Sequence, residues 1–198
     1  MINLDDKNNI GRVIPVSDIV LLPGMYHTLK FNKFSETQIE SLSDEDIVNI
    51  ALPLKQNFGQ SKLKEEDFHR VGVTFQVNAI EKTEKGYKAE IKILDRVEIK
   101  TFSIEEDSIK AEFEFAPDII DLTEKSKDEM VEYIKKVTRE ISENFKGSEK
   151  FMLAVEGQKD LNKLMGYLSH FMQISSEEKY DLLETQSLKD RGLKFIDY

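Results

Sequence analysis

The stretch IPVSDIVLLPGM, residues 14–25, places an apolar run between two prolines. Proline has no backbone N–H to donate to a β-ladder, so Pro15 and Pro23 are expected at strand starts, sheet edges or turns. Pro23-Gly24 is a strong turn signal, and a second extended segment over 26–31 follows at once. The stretch therefore predicts a strand, a short irregular crossing and a second strand that re-enters the same sheet.

Three later segments alternate apolar and polar residues with period two, the pattern of half-buried strands. They cover 68–82, 89–99 and 109–115. Glu84-Lys85-Gly86 predicts an antiparallel turn between the first two segments, and Asp95 interrupts the second, which indicates a β-bulge.

Two shorter elements complete the first part of the chain. The apolar run over 47–54 is of strand length, and Ser35 with Gln38 has the form of a helix capping box. Ile39 and Leu42 are expected to face inward from the short helix that follows. About six strands and one short helix predict a mixed or antiparallel sheet curled towards a barrel.

Beyond Pro117 the hydrophobic period changes from two to 3.6 residues, which is typical of amphipathic helices. Two apolar stripes are expected to pack in the core: one over 161–171, and one made of Met130, Ile134, Val137, Ile141 and Phe145. Helices are predicted from a capping box at 126–129 to a C-terminal cap at Gly147, over 161–171, from Ser175 onward, and over 188–196. The expected class is α+β. A β-rich subdomain is predicted over residues 1–118 and an α-helical bundle over 119–198.

The composition excludes several classes of protein. The 198 residues include 33% charged and 39% hydrophobic side chains and no cysteine, so a globular chain without disulfides or thiolate metal sites is expected. A net charge of −10 disfavours nucleic acid as a partner. No apolar run approaches the ~20 residues that span a bilayer. The polar residues 1–11 do not resemble a signal peptide and are expected to form a frayed end. A cytoplasmic protein without membrane association is expected.

The sequence contains no recognisable catalytic motif. It lacks a G-x-x-x-x-G-K phosphate loop, a G-x-S-x-G elbow and an H-E-x-x-H helix. His27, His69 and His170 fall in different elements without an accompanying carboxylate pattern, so structural roles are expected for them. No catalytic, cofactor-binding or metal-binding residue is predicted, and an independent hydrolase has no residue constellation to support it.

Several motifs together resemble the N-terminal domain of Lon-type ATP-dependent proteases. The resemblance covers about residues 13–196, with individually weak motifs in a fairly specific order. Ile93 and Tyr180 depart from it, standing where the family usually has Gly and Gln. The matching residues are Pro15, Asp18, Val20, Pro23, Gly24 and Met25, then Val71-Gly72-Val73, Gly86-Tyr87 and Arg96, and finally Leu168-Ser169-His170, Lys179, Leu182, Leu183 and Glu184.

The resemblance implies a non-catalytic substrate-recognition domain of PUA-like pseudobarrel fold. It implies that the domain engages unfolded or tagged proteins for a hexameric serine protease with a Ser-Lys active site. ATP and Mg²⁺ would bind that full-length protease, in motor and protease domains outside this chain. Two alternatives stay open: a free-standing Lon-domain adaptor, and a PUA-like RNA-binding module, which the acidic charge disfavours.

The predicted contacts with substrate flank the turn after Pro23 and the entry to the short helix. A receptor for unfolded segments needs uncovered apolar surface, and these positions can stay at the rim of the sheet. The alternative for Met25 and Phe31 is that they fill the core. The candidate residues are Met25, Tyr26, Phe31, Lys33 and Phe34.

The missing motifs generate a direct prediction. The purified chain is expected to hydrolyse neither ATP nor casein, because it has no phosphate loop and no nucleophile paired with a base. Phosphate release and peptide release, each compared with a buffer control, test this. Turnover that co-purifies with the chain through successive columns would refute it.

Overall fold

The computed structural model describes residues 9–32, 34–44, 46–56, 62–105, 108–143 and 147–198. These residues form two compact units. The first, called the sheet unit, holds residues 9–17 and Tyr26–Ala116, and the second, called the helical unit, holds Asp18–Met25 and Pro117–Tyr198. The units differ from the predicted subdomains chiefly because Asp18–Met25 belongs with the helices.

The sheet unit contains one six-stranded mixed sheet. Its strand order is β2-β5-β4-β3-β1-β6, with β1 parallel to β3 and the other pairs antiparallel. The α+β class and the six strands are thereby confirmed. The strands are β1 Asn9–Val16, β2 Tyr26–Phe31, β3 Val48–Pro53, β4 Val71–Thr83, β5 Gly86–Ile104 and β6 Ile109–Phe115, and helix α1 is Glu36–Glu40.

Strand β5 closes the sheet on itself. It pairs with β4 along its first part and with β6 along its last part, so β5, β4, β3, β1 and β6 form a ring of pairings. Alternate side chains of these strands point inward and fill the ring. The core residues are Val13, Ile50, Leu52, Phe68, Val97, Ile99, Ala111 and Phe113.

The predicted bulge in β5 is confirmed. Thr74 of β4 faces two residues, because Val73 pairs with Arg96 and Phe75 with Ile93. The backbone N–H of Asp95 donates to the Thr74 hydroxyl at 3.1 Å, which satisfies a donor that the ladder no longer uses. The interruption of the alternating pattern at Asp95 therefore corresponds to a β-bulge in strand β5.

The N-terminal part of the sheet corrects one expectation. Residues 9–11 read as part of a polar, frayed end, yet β1 begins at Asn9 and pairs Asn9–Arg12 with β6. Pairing with β6, and with β3 from Gly11 onward, orders these residues, which hydrophobic periodicity alone assigns to a frayed end. Pro15 lies beyond Arg12, so its missing N–H interrupts no pairing with β6.

The described residues of the helical unit form five helices. One of them, α3, was not expected from the sequence, and α2 begins before the predicted capping box because the Thr123 hydroxyl accepts the Ser126 N–H at 3.1 Å. The predicted capping box of Ser175 with Glu178 is confirmed. The helices are α2 Glu124–Ser142, α3 Glu149–Glu156, α4 Leu161–Ser169, α5 Ser176–Glu184 and α6 Leu188–Asp197.

The crossing segment Asp18–Met25 is part of the helical unit's core. The side chains of Val20, Leu21 and Leu22 are at most 2% exposed. The segment ends in a turn in which Met25 N–H donates to Leu22 O at 3.3 Å, and Gly24 takes φ 86°, as a type II turn requires of its third residue. The irregular crossing therefore buries its apolar run against helices.

A buried ion pair holds the beginning and the end of the helical unit together. Arg191 of α6 is fully buried and donates two hydrogen bonds to the Asp118 carboxylate, at 2.7 and 3.0 Å. It also donates to Asn162 Oδ1 at 2.7 Å and to the Thr185 carbonyl at 2.9 Å. The guanidinium is well satisfied, as a charge inside a protein must be.

Gly72 of β4 has no room for a side chain, and this gives a test of the ring. A Cβ there would lie 2.7 Å from Ala51 O and 2.8 Å from Leu52 Cδ1 of β3. Gly72→Ala is expected to lower the free energy of unfolding by ~1–3 kcal/mol, because β3 must move away from β4. Urea unfolding followed by circular dichroism measures this.

The matched control is Gly157→Ala at the end of α3. Its Cβ would find its nearest neighbour at an ordinary 3.4 Å, and its backbone is helical. This change should leave the free energy of unfolding unchanged or raise it by up to ~1 kcal/mol. Equal destabilisation by both changes would contradict the tight β3–β4 packing.

Candidate functional site

The structure separates the five contact residues predicted from the sequence. Tyr26 is 60% exposed at the start of β2, and Phe34 is half-buried with its ring 4.7 Å from that of Phe31. Met25 and Phe31 are 4% and 5% exposed, so they are core residues of their units, the alternative left open above. Lys33 lies outside the described residues. Surface contact by this set thus depends on Tyr26 and, in part, Phe34.

The helical unit contains a groove that the sequence did not predict. Its volume is about 700 Å³, and it is formed by α2, α3, the end of α4 and α6. Among the residues that the structure describes, its lining carries no Asp, Glu, Lys, Arg or His. The lining residues are Tyr133, Ile134, Val137, Thr138, Ile141, Ser142, Gly147, Ser148, Phe151, Leu168, Phe171, Met172, Gln173, Phe195, Ile196 and Tyr198.

Large apolar side chains of the groove remain uncovered. Tyr133 is 51% exposed, Ile141 57% and Phe171 61%. Ile141 belongs to the apolar stripe of α2, for which an inward position was expected, and this expectation is wrong. The stripe is longer than the core needs, so its last turn faces the groove.

Two aromatic rings of the groove's lining, Phe151 and Phe171, contact the ring of Tyr167. Phe171 makes an edge-to-face contact with Phe151 at 4.9 Å and a tilted contact with Tyr167 at 5.4 Å. Phe151 stacks on Tyr167 at 6.0 Å. Such pairs contribute about 0.5–1.5 kcal/mol each beyond their buried area, so the exposed Phe171 ring is held in place.

Charged side chains of α2 and α3 pair with one another. Arg139 of α2 forms an ion pair with Glu156 of α3, and Lys136 lies 3.9 Å from Glu140 one turn on. All four side chains are at least 40% exposed, so these pairs contribute little to stability.

Tyr198 keeps its end of the groove neutral. Its hydroxyl donates to Asp181 Oδ2 at 2.8 Å, and Lys194 donates to the other carboxylate oxygen at 2.6 Å. Burial, and then the hydrogen bond to Asp181, raises the pKa of Tyr198 to about 12. The phenol is therefore uncharged at every physiological pH.

The described residues offer binding surface without reactive groups. Within them, no three His, Asp or Glu side chains come close enough to hold a metal ion. His170 is placed by a 2.8 Å contact between Nδ1 and the Gly166 carbonyl, in keeping with a structural role. Most of the side chains that line the groove are apolar, so the groove can take up apolar side chains.

None of the described helices has the length and hydropathy needed to cross a membrane.

Comparison with known families decides where the chain belongs. Residues 12–198 match the family model described as the ATP-dependent protease La (LON) substrate-binding domain. The chain belongs to this Lon substrate-binding family. The resemblance drawn from Pro15, Pro23-Gly24-Met25 and the later motifs is thereby confirmed.

Full-length relatives extend well beyond the Lon domain seen here. The chain is 26% identical over 193 residues to a Lon protease of Methanosarcina barkeri and 23% identical over 198 residues to one of Methanosphaera stadtmanae. It is 24% identical over 187 residues to Lon protease 1 of Bdellovibrio bacteriovorus. Each match covers at least 93% of this chain, which spans only 24% of each relative.

Solved structures show the same fold. The N-terminal domain of Mycobacterium avium complex Lon protease superposes with a TM-score of 0.72 at 17% identity, over 96% of this chain and 97% of that one. A Lon N-terminal domain protein from Xanthomonas campestris gives 0.64 at 12% identity, over 96% and 98%. The six-stranded mixed sheet followed by helices is therefore a Lon N-terminal fold.

The raised pKa of Tyr198 gives a titration test. In Asp181→Asn the phenol is expected to ionise at a pH below about 12, closer to its usual range, because a negatively charged acceptor is lost. Absorbance near the phenolate band, with Tyr198→Phe used to assign the signal, measures this. The stabilisation linked to this raised pKa is fully present below the ordinary tyrosine pKa and is lost as the pH rises through about 12. An unchanged titration in Asp181→Asn would show that burial alone raises the pKa.

Proposed function

We propose that this chain is the substrate-engaging domain of a Lon-type protease and that it captures unfolded protein segments through the groove of the helical unit. The observation that carries the proposal is the groove of about 700 Å³ in a Lon substrate-binding domain. Its described lining holds no charged side chain, and Tyr133, Ile141 and Phe171 are more than half exposed. The chain itself performs no chemistry in this proposal.

Unfolded and folded proteins differ in the apolar side chains that they expose. Burying one Leu or Phe side chain contributes ~1.5–3 kcal/mol, whereas micromolar binding needs about 8 kcal/mol. The groove can hold only a few side chains, so a single domain is expected to bind weakly and to release its substrate readily. A neutral lining selects for apolar content rather than for one sequence, which suits a receptor for many substrates.

Weak binding becomes effective when several copies of the domain act together. Linked sites raise the apparent affinity by ~10²–10⁴-fold without a new contact. The hexameric assembly, the ATP- and Mg²⁺-dependent motor, the serine protease domain and a cytoplasmic location belong to this proposal for the longer protein. Recognition of tagged proteins belongs to it as well.

Two alternatives lead to different outcomes. A free-standing Lon-domain adaptor would use the same groove, so it differs in its partners rather than in this surface. The PUA-like pseudobarrel assignment is supported by the ring of β5, β4, β3, β1 and β6, but RNA binding is disfavoured by the net charge of −10.

The groove is tested by Tyr133→Ala with Ile141→Ala on α2. Both side chains are half exposed, so the fold should keep its melting temperature within a few degrees. Binding of a reduced, carboxymethylated protein, measured by fluorescence anisotropy, should weaken about fivefold or more because two apolar contacts are lost.

The matched control removes two equally exposed apolar side chains elsewhere in the helical unit. Ile120 and Leu153 are 60% and 73% exposed and do not line the groove. Ile120→Ala with Leu153→Ala should leave binding unchanged. If Tyr26→Ala with Phe34→Ala weakens binding and the groove pair does not, the receptor surface is the one predicted from the sequence.

A further inference from the structure

The outer face of β2 and β5 carries an unusual row of lysines. Lys30 of β2 lies directly opposite Lys88 of β5. On the same face, four residues before Lys30, Tyr26 lies opposite Lys92. Directly opposed residues on neighbouring strands hold their side chains close together, and like charges there are destabilising. In the described part of the chain, none of these three lysines has a carboxylate oxygen within ion-pair distance.

The charge of this face is opposite to that of the chain. Glu90 lies on the same face, opposite Thr28, and so does Glu81, opposite Lys88. The face thus carries three lysines and two glutamates, an excess of positive charge in a chain whose net charge is −10. The opposite face of β2 is core, with Leu29 and Phe31 at most 8% exposed. The lysine face is therefore the solvent side of a fixed strand.

Strand β2 is also the end of the sheet order. It pairs with β5 along one edge and, among the described strands, with no other. Alternate residues of such an edge strand direct backbone N–H and C=O groups away from the sheet, and these can pair with an added strand. Tyr26, Thr28 and Lys30 are exposed along this edge.

We propose that the free edge of β2 binds an extended acidic polypeptide segment by strand addition. The backbone of the segment pairs with β2, an acidic side chain lies beside Lys30 and Lys88, and an apolar side chain four residues away lies beside Tyr26. Backbone pairing supplies affinity and the alternate side chains supply selectivity. The site lies on the sheet unit and is independent of the groove proposed above.

An acidic peptide fits this edge better than a nucleic acid does. Nucleic-acid sites gain affinity from many clustered Lys and Arg side chains, whereas this face offers three lysines with two glutamates among them. An added strand needs only the edge of β2 and one or two carboxylates that lie close to the lysines of this face.

The test uses a short fluorescent peptide that carries a glutamate and, four residues away on the same face of an extended strand, a valine, with the full chain at low salt. Lys30→Gln with Lys88→Gln should weaken its binding about fivefold, as expected for two partly exposed charge contacts. The same variant should keep its melting temperature within a few degrees, because it removes the like-charge pair Lys30–Lys88 together with the opposite-charge pair Lys88–Glu81, so a loss of binding does not reflect unfolding. Lys125→Gln with Lys136→Gln removes the same charge from the helical unit and should leave binding unchanged.

Backbone pairing is tested by the same peptide carrying N-methyl groups at alternate residues. This peptide keeps every charge but cannot donate to β2, so it should no longer bind. Equal binding of the N-methylated peptide, equal weakening by the control lysine pair, or tighter binding of single-stranded RNA through Lys30 and Lys88 would each overturn the proposal. The Tyr133→Ala with Ile141→Ala variant should bind the acidic peptide normally, which keeps this test distinct from that of the groove.

Discussion

The ion pair between Asp118 and Arg191 is the contact on which the helical unit depends. It joins the segment that enters the unit to its last helix, and Asn162 and Thr185 add α4 and the α5–α6 connection to the same network. Removing one partner from a buried pair costs about 3–5 kcal/mol, because the other charge is left uncompensated. A unit of mostly short helices needs such a contact, since none of them would be stable by itself.

The segment Asp18–Met25 provides the second constraint on this unit. Its apolar residues lie in the helical core, and Asp18 takes φ 55°, a conformation that Asp tolerates better than most residues. The Asp18 carboxylate accepts from Lys179 of α5 at 2.6 Å, and Met25 packs so closely on Gly166 of α4 that a Cβ there would lie 2.6 Å from its sulfur. The prolines and glycine that mark this stretch in the sequence therefore serve the helices as much as the sheet.

The surface follows from where these constraints leave apolar residues uncovered. Tyr133 and Ile141 of α2 line a groove in which both side chains stay more than half exposed. The described lining of this groove holds no charged side chain, although the chain as a whole has a net charge of −10.

The sequence by itself determined the elements that local chemistry controls. Period-two alternation gave β4, β5 and β6, Asp95 marked the bulge, Ser35 and Ser175 marked helix starts, and the order of the motifs gave the family. Only the tertiary structure decided that Met25 and Phe31 are buried, that the end of the α2 stripe is exposed, and that Asp18–Met25 packs with the helices. The reason is physical: periodicity shows that a face is apolar, whereas what covers that face depends on residues far away in the chain.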